Sequence, residues 1–167
     1  MVYSMAHQLA PALRVRPSRP PVRRKPLHSH RKKPAATILL VEHHPLFLKI
    51  IKAILEEANF RVLSAKSPRD AKKIDVEFTG SIDLLLSEVM MAPGLLGTKL
   101  AKALKKRRPH MRILLMSAYP GGELLILNYG WHFIKQPFMA EALVGRVKDV
   151  LHSKIREQGV DHFDTRK

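Results

Sequence analysis

Residues 82–91 read IDLLLSEVMM. The apolar stretch of Leu84, Leu85 and Leu86 closes on Ser87 and a carboxylate, Glu88, before a Met pair and the segment APGLLG. A buried strand that stops on an acid needs a reason. In chains that alternate strands with helices, ligands gather where strands leave the sheet, so Glu88 marks the edge at which a site is to be sought.

Four further runs share the character of IDLLLS (82–87): TILLV (37–41), FRVLS (60–64), MRILLMS (111–117) and WHFI (131–134). Segments of helical period separate them. In 45–58, Phe47, Ile50, Ile51, Ile54, Leu55 and Ala58 recur at helical spacing opposite Lys49, Lys52, Glu56 and Glu57, which predicts an amphipathic helix with that apolar set inward. Residues 67–78 open on Ser67 as cap and Pro68 at the first helical position. Residues 97–108 bring Leu100 and Leu104 to one face, end on KKRR, where positive charge suits a helix C-terminus, and stop at Pro109. A short fourth helix is expected over 120–128, and a fifth over 139–153 with Met139, Leu143, Val147, Val150 and Leu151 inward. Near-continuous apolar strands, each followed by a helix, predict a parallel sheet covered on both faces.

The 167 residues suffice for one domain and a tail. With no cysteine, disulfides, thiolate metal sites and thiol nucleophiles are excluded, and a cytoplasmic setting is the expectation. No apolar run approaches the roughly 20 residues that cross a bilayer. The formal charge of +16 is uneven: nine of the 30 Lys and Arg lie in 1–36 without an acid, leaving 21 against 14 acids, or +7, in the rest. That segment, with six prolines, is predicted to be a disordered basic tail. It reads as an arm for nucleic acid or an anionic membrane, as a transit peptide, or as a solvated extension. His28 and His30 within it lack a third ligand. The domain is expected over 37–153, with a short C-terminal tail, 154–167, and no output domain.

The strand ends carry Glu42, His43 and His44 after the first run, Glu88 after the third, Ser117 after the fourth, and Lys135, Gln136 and Pro137 after the fifth. One such residue is ordinarily a helix cap or a solvated side chain; four at equivalent positions of one sheet point to a site. Together the frames LLVEHH, DLLLSEVMM, ILLMSAY and FIKQPF resemble the receiver domain of two-component response regulators, over 37–151. The resemblance implies a flavodoxin-like, doubly wound (βα)5 fold with strand order 2-1-3-4-5, and a signalling rather than an enzymatic role. It puts Glu42 and His43 on the family's metal-binding acidic pair, Glu88 on the phosphoaccepting Asp, Ser117 and Phe133 on the switch residues, and Gln136 on the Lys that precedes Pro.

Three of these positions depart from the family pattern. His43 offers nitrogen where Mg2+ wants oxygen, so no cofactor is expected, with Mg2+ at most weakly held. Glu88 is one methylene longer than Asp, and a misplacement of about 1 Å can cost roughly 100-fold in rate. Gln136 is neutral where a cation should stabilise the transferring group; Lys135, its neighbour, would have to turn inward to replace it. The sequence therefore predicts a phosphorylation-impaired receiver that works by contact with a sensor histidine kinase or another signalling protein through about 120–148. Glu88 would stand as a partial imitation of the phosphorylated state. The alternative is a nucleic-acid-binding protein using the tail and the basic cluster at 105–108.

Overall fold

The computed structural model describes residues 36–91, 95–126 and 129–153. The two expected tails, Ala36 apart, lie outside these residues. In chain order the elements are β1 (Thr37–Val41), α1 (Pro45–Glu57), β2 (Arg61–Ala65), α2 (Pro68–Glu77), β3 (Leu84–Glu88), a small hairpin of β4 (Met90–Met91) and β5 (Leu95–Leu96), α3 (Gly97–Arg107), β6 (Arg112–Ser117), a 3-10 turn (Gly122–Leu125), β7 (His132–Lys135) and α4 (Ala140–His152). The five longer strands form one parallel sheet in the order β2-β1-β3-β6-β7. Counting only the five apolar runs of the sequence, this is the expected 2-1-3-4-5 order of a flavodoxin-like fold.

The sheet separates two apolar layers. Ile38, Leu40, Leu84, Leu86, Leu114 and Met116 point to one side, against Leu48, Ile51 and Leu55 of α1 and Leu143, Val147 and Val150 of α4. Leu39, Val41, Leu85, Ile113 and Leu115 point to the other, against Ala71 of α2 and Leu100, Ala101 and Leu104 of α3. Strict alternation along each strand produces this division. Among the described residues no helix is long and apolar enough to cross a membrane.

Three sequence expectations are corrected here. Where an α-helix was expected over 120–128, the described residues, 120–126, hold a four-residue 3-10 turn. Gly121, at its start, has a φ of 75°, a left-handed conformation that an α-helix cannot contain. Helix α1 buries Leu48, Ile51 and Leu55, whereas Phe47 and Ile50 are exposed along with Leu46. Met139 caps α4 from outside and is exposed.

The basic end of α3 serves the fold. Arg108 Nε donates to Asp75 Oδ1 at 2.6 Å, and its terminal nitrogens donate to the carbonyls of Gly80 (2.7 Å), Phe78 (2.7 Å) and Asp75 (3.0 Å). One guanidinium thus neutralises a buried acid and ties down the C-terminal end of α2. Arg107 Nε reaches the other Asp75 oxygen at 2.6 Å, and Lys105 Nζ donates to the Met111 carbonyl at 2.6 Å. Of the cluster at 105–108, three side chains are therefore engaged within the domain.

Arg108 is 20% exposed and Arg107 58%, against 2% for the Asp75 side chain. An exposed ion pair contributes about 0–1 kcal/mol, whereas losing Arg108 also strips hydrogen-bond donors from three part-buried carbonyls, at roughly 1–3 kcal/mol for each group left unsatisfied. Arg108→Ala should accordingly destabilise the domain far more than Arg107→Ala in urea unfolding. Equal losses from the two would show that the carbonyl contacts of Arg108 contribute nothing.

Candidate functional site

The parallel sheet brings the C-terminal ends of β1, β3, β6 and β7 to one edge, and backbone pairing continues past them. Glu42 N–H donates to Ala65 O (3.1 Å), Val89 N–H to Met116 O (2.8 Å) and Gln136 N–H to Ser117 O (2.8 Å). Residues just beyond each strand are thereby held in register rather than left to the loops.

Glu42 is buried, and its Oε1 accepts the backbone N–H of His44 at 2.8 Å. His43 turns its ring back toward the sheet: Nδ1 lies 2.8 Å from Glu88 Oε2 and 3.4 Å from Glu42 Oε1. One ligating atom from each of the three residues falls within 4.8 Å of the others. Burial raises the Glu88 carboxyl above its usual range, the nearby Glu42 carboxylate adds to this, and the hydrogen bond and charge of His43 oppose it.

The donor set fits Mg2+ poorly. That ion wants oxygens in near-octahedral array, yet one of the three donors that meet here is an imidazole nitrogen.

Ser117 and Phe133 share a different part of the edge. Ser117 is buried, and its Oγ accepts the Tyr119 N–H at 3.1 Å. Phe133 packs on the α2–α3 side of the sheet. Gly122 closes over both: a Cβ there would lie 2.8 Å from Ser117 Cβ and 3.4 Å from Phe133 Cζ. Ile134 packs on the α1–α4 side, so alternation places Lys135 with Phe133, and Glu88 with Leu86, on opposite faces. Lys135 is exposed and Gln136 half-buried.

Two features of the site were not read from the sequence. The β4–β5 hairpin, Met90–Met91 against Leu95–Leu96, follows Glu88 directly; the Pro93–Gly94 pair between two short apolar pairs was its signal. Gly97 begins α3 and donates to Val89 O at 2.5 Å, and a Cβ there would fall 2.0 Å from the Glu88 carbonyl oxygen. Only glycine allows α3 to start so close to the acid.

The model of the response regulator receiver domain family matches residues 38–148. The chain belongs to this family. This receiver domain is similar to part of the sensor kinase CckA of Brucella abortus (strain 2308), 28% identical over 123 residues that cover 72% of this chain and 13% of the kinase. It is also similar to part of a cyclic di-GMP phosphodiesterase of Thermotoga maritima, 25% identical over 71% of this chain and 32% of that protein. The chain thus spans well under two thirds of either relative. Among solved structures, a response regulator receiver domain protein from Clostridium thermocellum superposes with a TM-score of 0.63 at 26% identity, covering 70% of this chain and 94% of the other.

The raised Glu88 pKa sets a pH dependence. A carboxyl whose folded pKa exceeds its unfolded value favours folding below the unfolded value, near 4.5, and loses that contribution as pH rises through the folded pKa. Glu88→Gln removes the titration, so the stability of the variant relative to the parent should climb as pH rises from about 4.5 toward 7. Urea unfolding across that window reads the slope; a flat difference, or one that falls, would contradict the burial of this carboxyl.

Proposed function

We propose that this receiver domain is impaired in phosphoryl transfer and signals by contact with other proteins. The observation that carries the reading is the Glu88 carboxylate, longer than the Asp of the family and held by His43 Nδ1 at 2.8 Å. A nucleophilic carboxylate needs a free oxygen, a metal beside it and a cation opposite. Here one oxygen is engaged by a hydrogen-bond donor, the metal pair contains His43, and Gln136 replaces the cation. Lys135, on the far face, does not make up the loss, and Mg2+ is held weakly at most.

The contact surface is the segment of about 120–148, built from the 3-10 turn, β7 and α4. Exposed Leu124 and Met139 in this segment, and Tyr119 just before it, support the assignment, since they offer large apolar side chains for contact. Its partner is a sensor histidine kinase or another signalling protein in the cytoplasm, and the domain itself catalyses no reaction. Nucleic acid binding through 105–108 is the weaker reading, because Lys105, Arg107 and Arg108 are engaged within the domain.

Incubation with acetyl phosphate or phosphoramidate and Mg2+ should leave the mass of the protein unchanged. Glu88→Asp alone should restore little labelling, whereas Glu88→Asp with His43→Asp and Gln136→Lys should restore it, because residues of one site combine non-additively. A mass gain of the parent protein mapped to Glu88 or Ser87 would refute the reading. Full labelling of the single variant would show that Glu42 alone holds the metal and that Lys135 reaches the acceptor.

A further inference from the structure

The cluster at the end of β1 and β3 suits a metal other than the one the family fold implies. Three donors from two strand ends meet there: a carboxylate oxygen of Glu42, Nδ1 of His43 and a carboxylate oxygen of Glu88, all within 4.8 Å of one another. The separations of 2.8 and 3.4 Å from Nδ1 to the two oxygens are those of neighbouring ligands around a single ion. Metal–ligand bonds of about 2.0–2.2 Å put adjacent donors roughly 3–3.5 Å apart in octahedral or tetrahedral arrangement. The two carboxylate oxygens, within 4.8 Å of each other, complete the set.

The position of each donor is independently determined. Glu42 is buried and oriented by the His44 amide at 2.8 Å. Glu88 ends the central strand, and the Gly97 backbone packs against its carbonyl. His43 is half-exposed, with Nδ1 turned toward the two acids. Two carboxylates, one buried and one partly exposed, with an imidazole between them form an anionic cluster that a divalent cation would neutralise.

We propose that Glu42, His43 and Glu88 bind a divalent transition cation that accepts imidazole nitrogen, with zinc as its representative, in preference to Mg2+. Imidazole suits zinc, nickel, cobalt and copper, while oxygen-only sets suit magnesium. Three protein donors leave positions for water or for a side chain of a docked partner. Ligation through Nδ1 takes the neutral imidazole in the tautomer that carries its proton on Nε2. The inference does not rest on impaired phosphorylation, since no phosphoryl group takes part.

The test uses the full chain, with Zn2+ measured by calorimetry and Co2+ by visible absorption. Because the chain has nine His residues, His28→Ala with His30→Ala serves as a control for binding in the N-terminal segment. One Zn2+ should bind per chain and survive excess Mg2+. His43→Ala and Glu88→Gln should each weaken it by at least about tenfold, and the control should leave it unchanged. His43→Asp should move the preference toward Mg2+. The proposal is overturned if His43→Ala leaves Zn2+ affinity and the Co2+ spectrum intact, if the control abolishes both, or if Mg2+ displaces Co2+ at comparable concentration. A chain that resists phosphodonors yet binds no Zn2+ sinks this inference alone, and one that binds Zn2+ and becomes phosphorylated sinks only the reading of impaired transfer.

Discussion

Everything at the C-terminal edge of the sheet depends on the burial of Leu84 to Ser87 in β3. Leu84, Leu85, Leu86 and Ser87 are inaccessible to water, because β1 and β6 pair with both edges of the strand and helices cover both its faces. A strand in that position has no solvent to satisfy its backbone, so its neighbours must run in register along its whole length. The pairs Ile38↔Leu84 and Leu84↔Arg112 set that register. Parallel pairing then brings Glu42, Glu88, Ser117 and Gln136 to one edge, whatever chemistry those residues perform. The site is a consequence of how the centre packs.

The domain meets the cost of a buried acid in two ways. Asp75 receives two guanidinium groups at 2.6 Å each, a fixed compensation that ties α2 to α3. Glu42 and Glu88 share a single imidazole, and the Glu88 carboxyl stays raised by burial and by its acidic neighbour. The first arrangement is closed: donors and acceptors match, and nothing further is required. The second leaves more acceptor capacity than donors.

Much of this was legible in the sequence because the dominant signals were strong. Apolar runs located all five sheet strands, although β2, β3 and β7 end one residue later than the runs suggested. Ser67 was read as the cap of α2 and does accept the Asp70 amide at 3.1 Å. What failed depended on tertiary context. An apolar stripe on α1 broader than the core needs gave no means of knowing that Leu48, Ile51 and Leu55 would be chosen over Phe47 and Ile50. KKRR reads as a patch until Asp75, more than 30 residues earlier, is known to face it. The convergence of His43 and Glu88 followed from alignment of strand ends, but the approach of Gly97 and Gly122 to the site could not, since a glycine signals permissiveness and not its cause.

The pairing of His43 with Glu88 also bears on whether Glu88 imitates a phosphorylated Asp. A phosphoryl group brings about −1.5 to −2 charges and three acceptor oxygens, and it acts on its surroundings through both. Glu88 brings one charge, which its raised pKa disfavours, and two oxygens, of which one is taken up by His43. At the same edge, Ser117 Oγ already accepts the Tyr119 amide, and Gly122 is packed against it. The imidazole therefore works against the imitation that the longer side chain would otherwise favour. At this edge the acid is thus hydrogen-bonded by His43 and the hydroxyl by the Tyr119 amide, each within the domain itself.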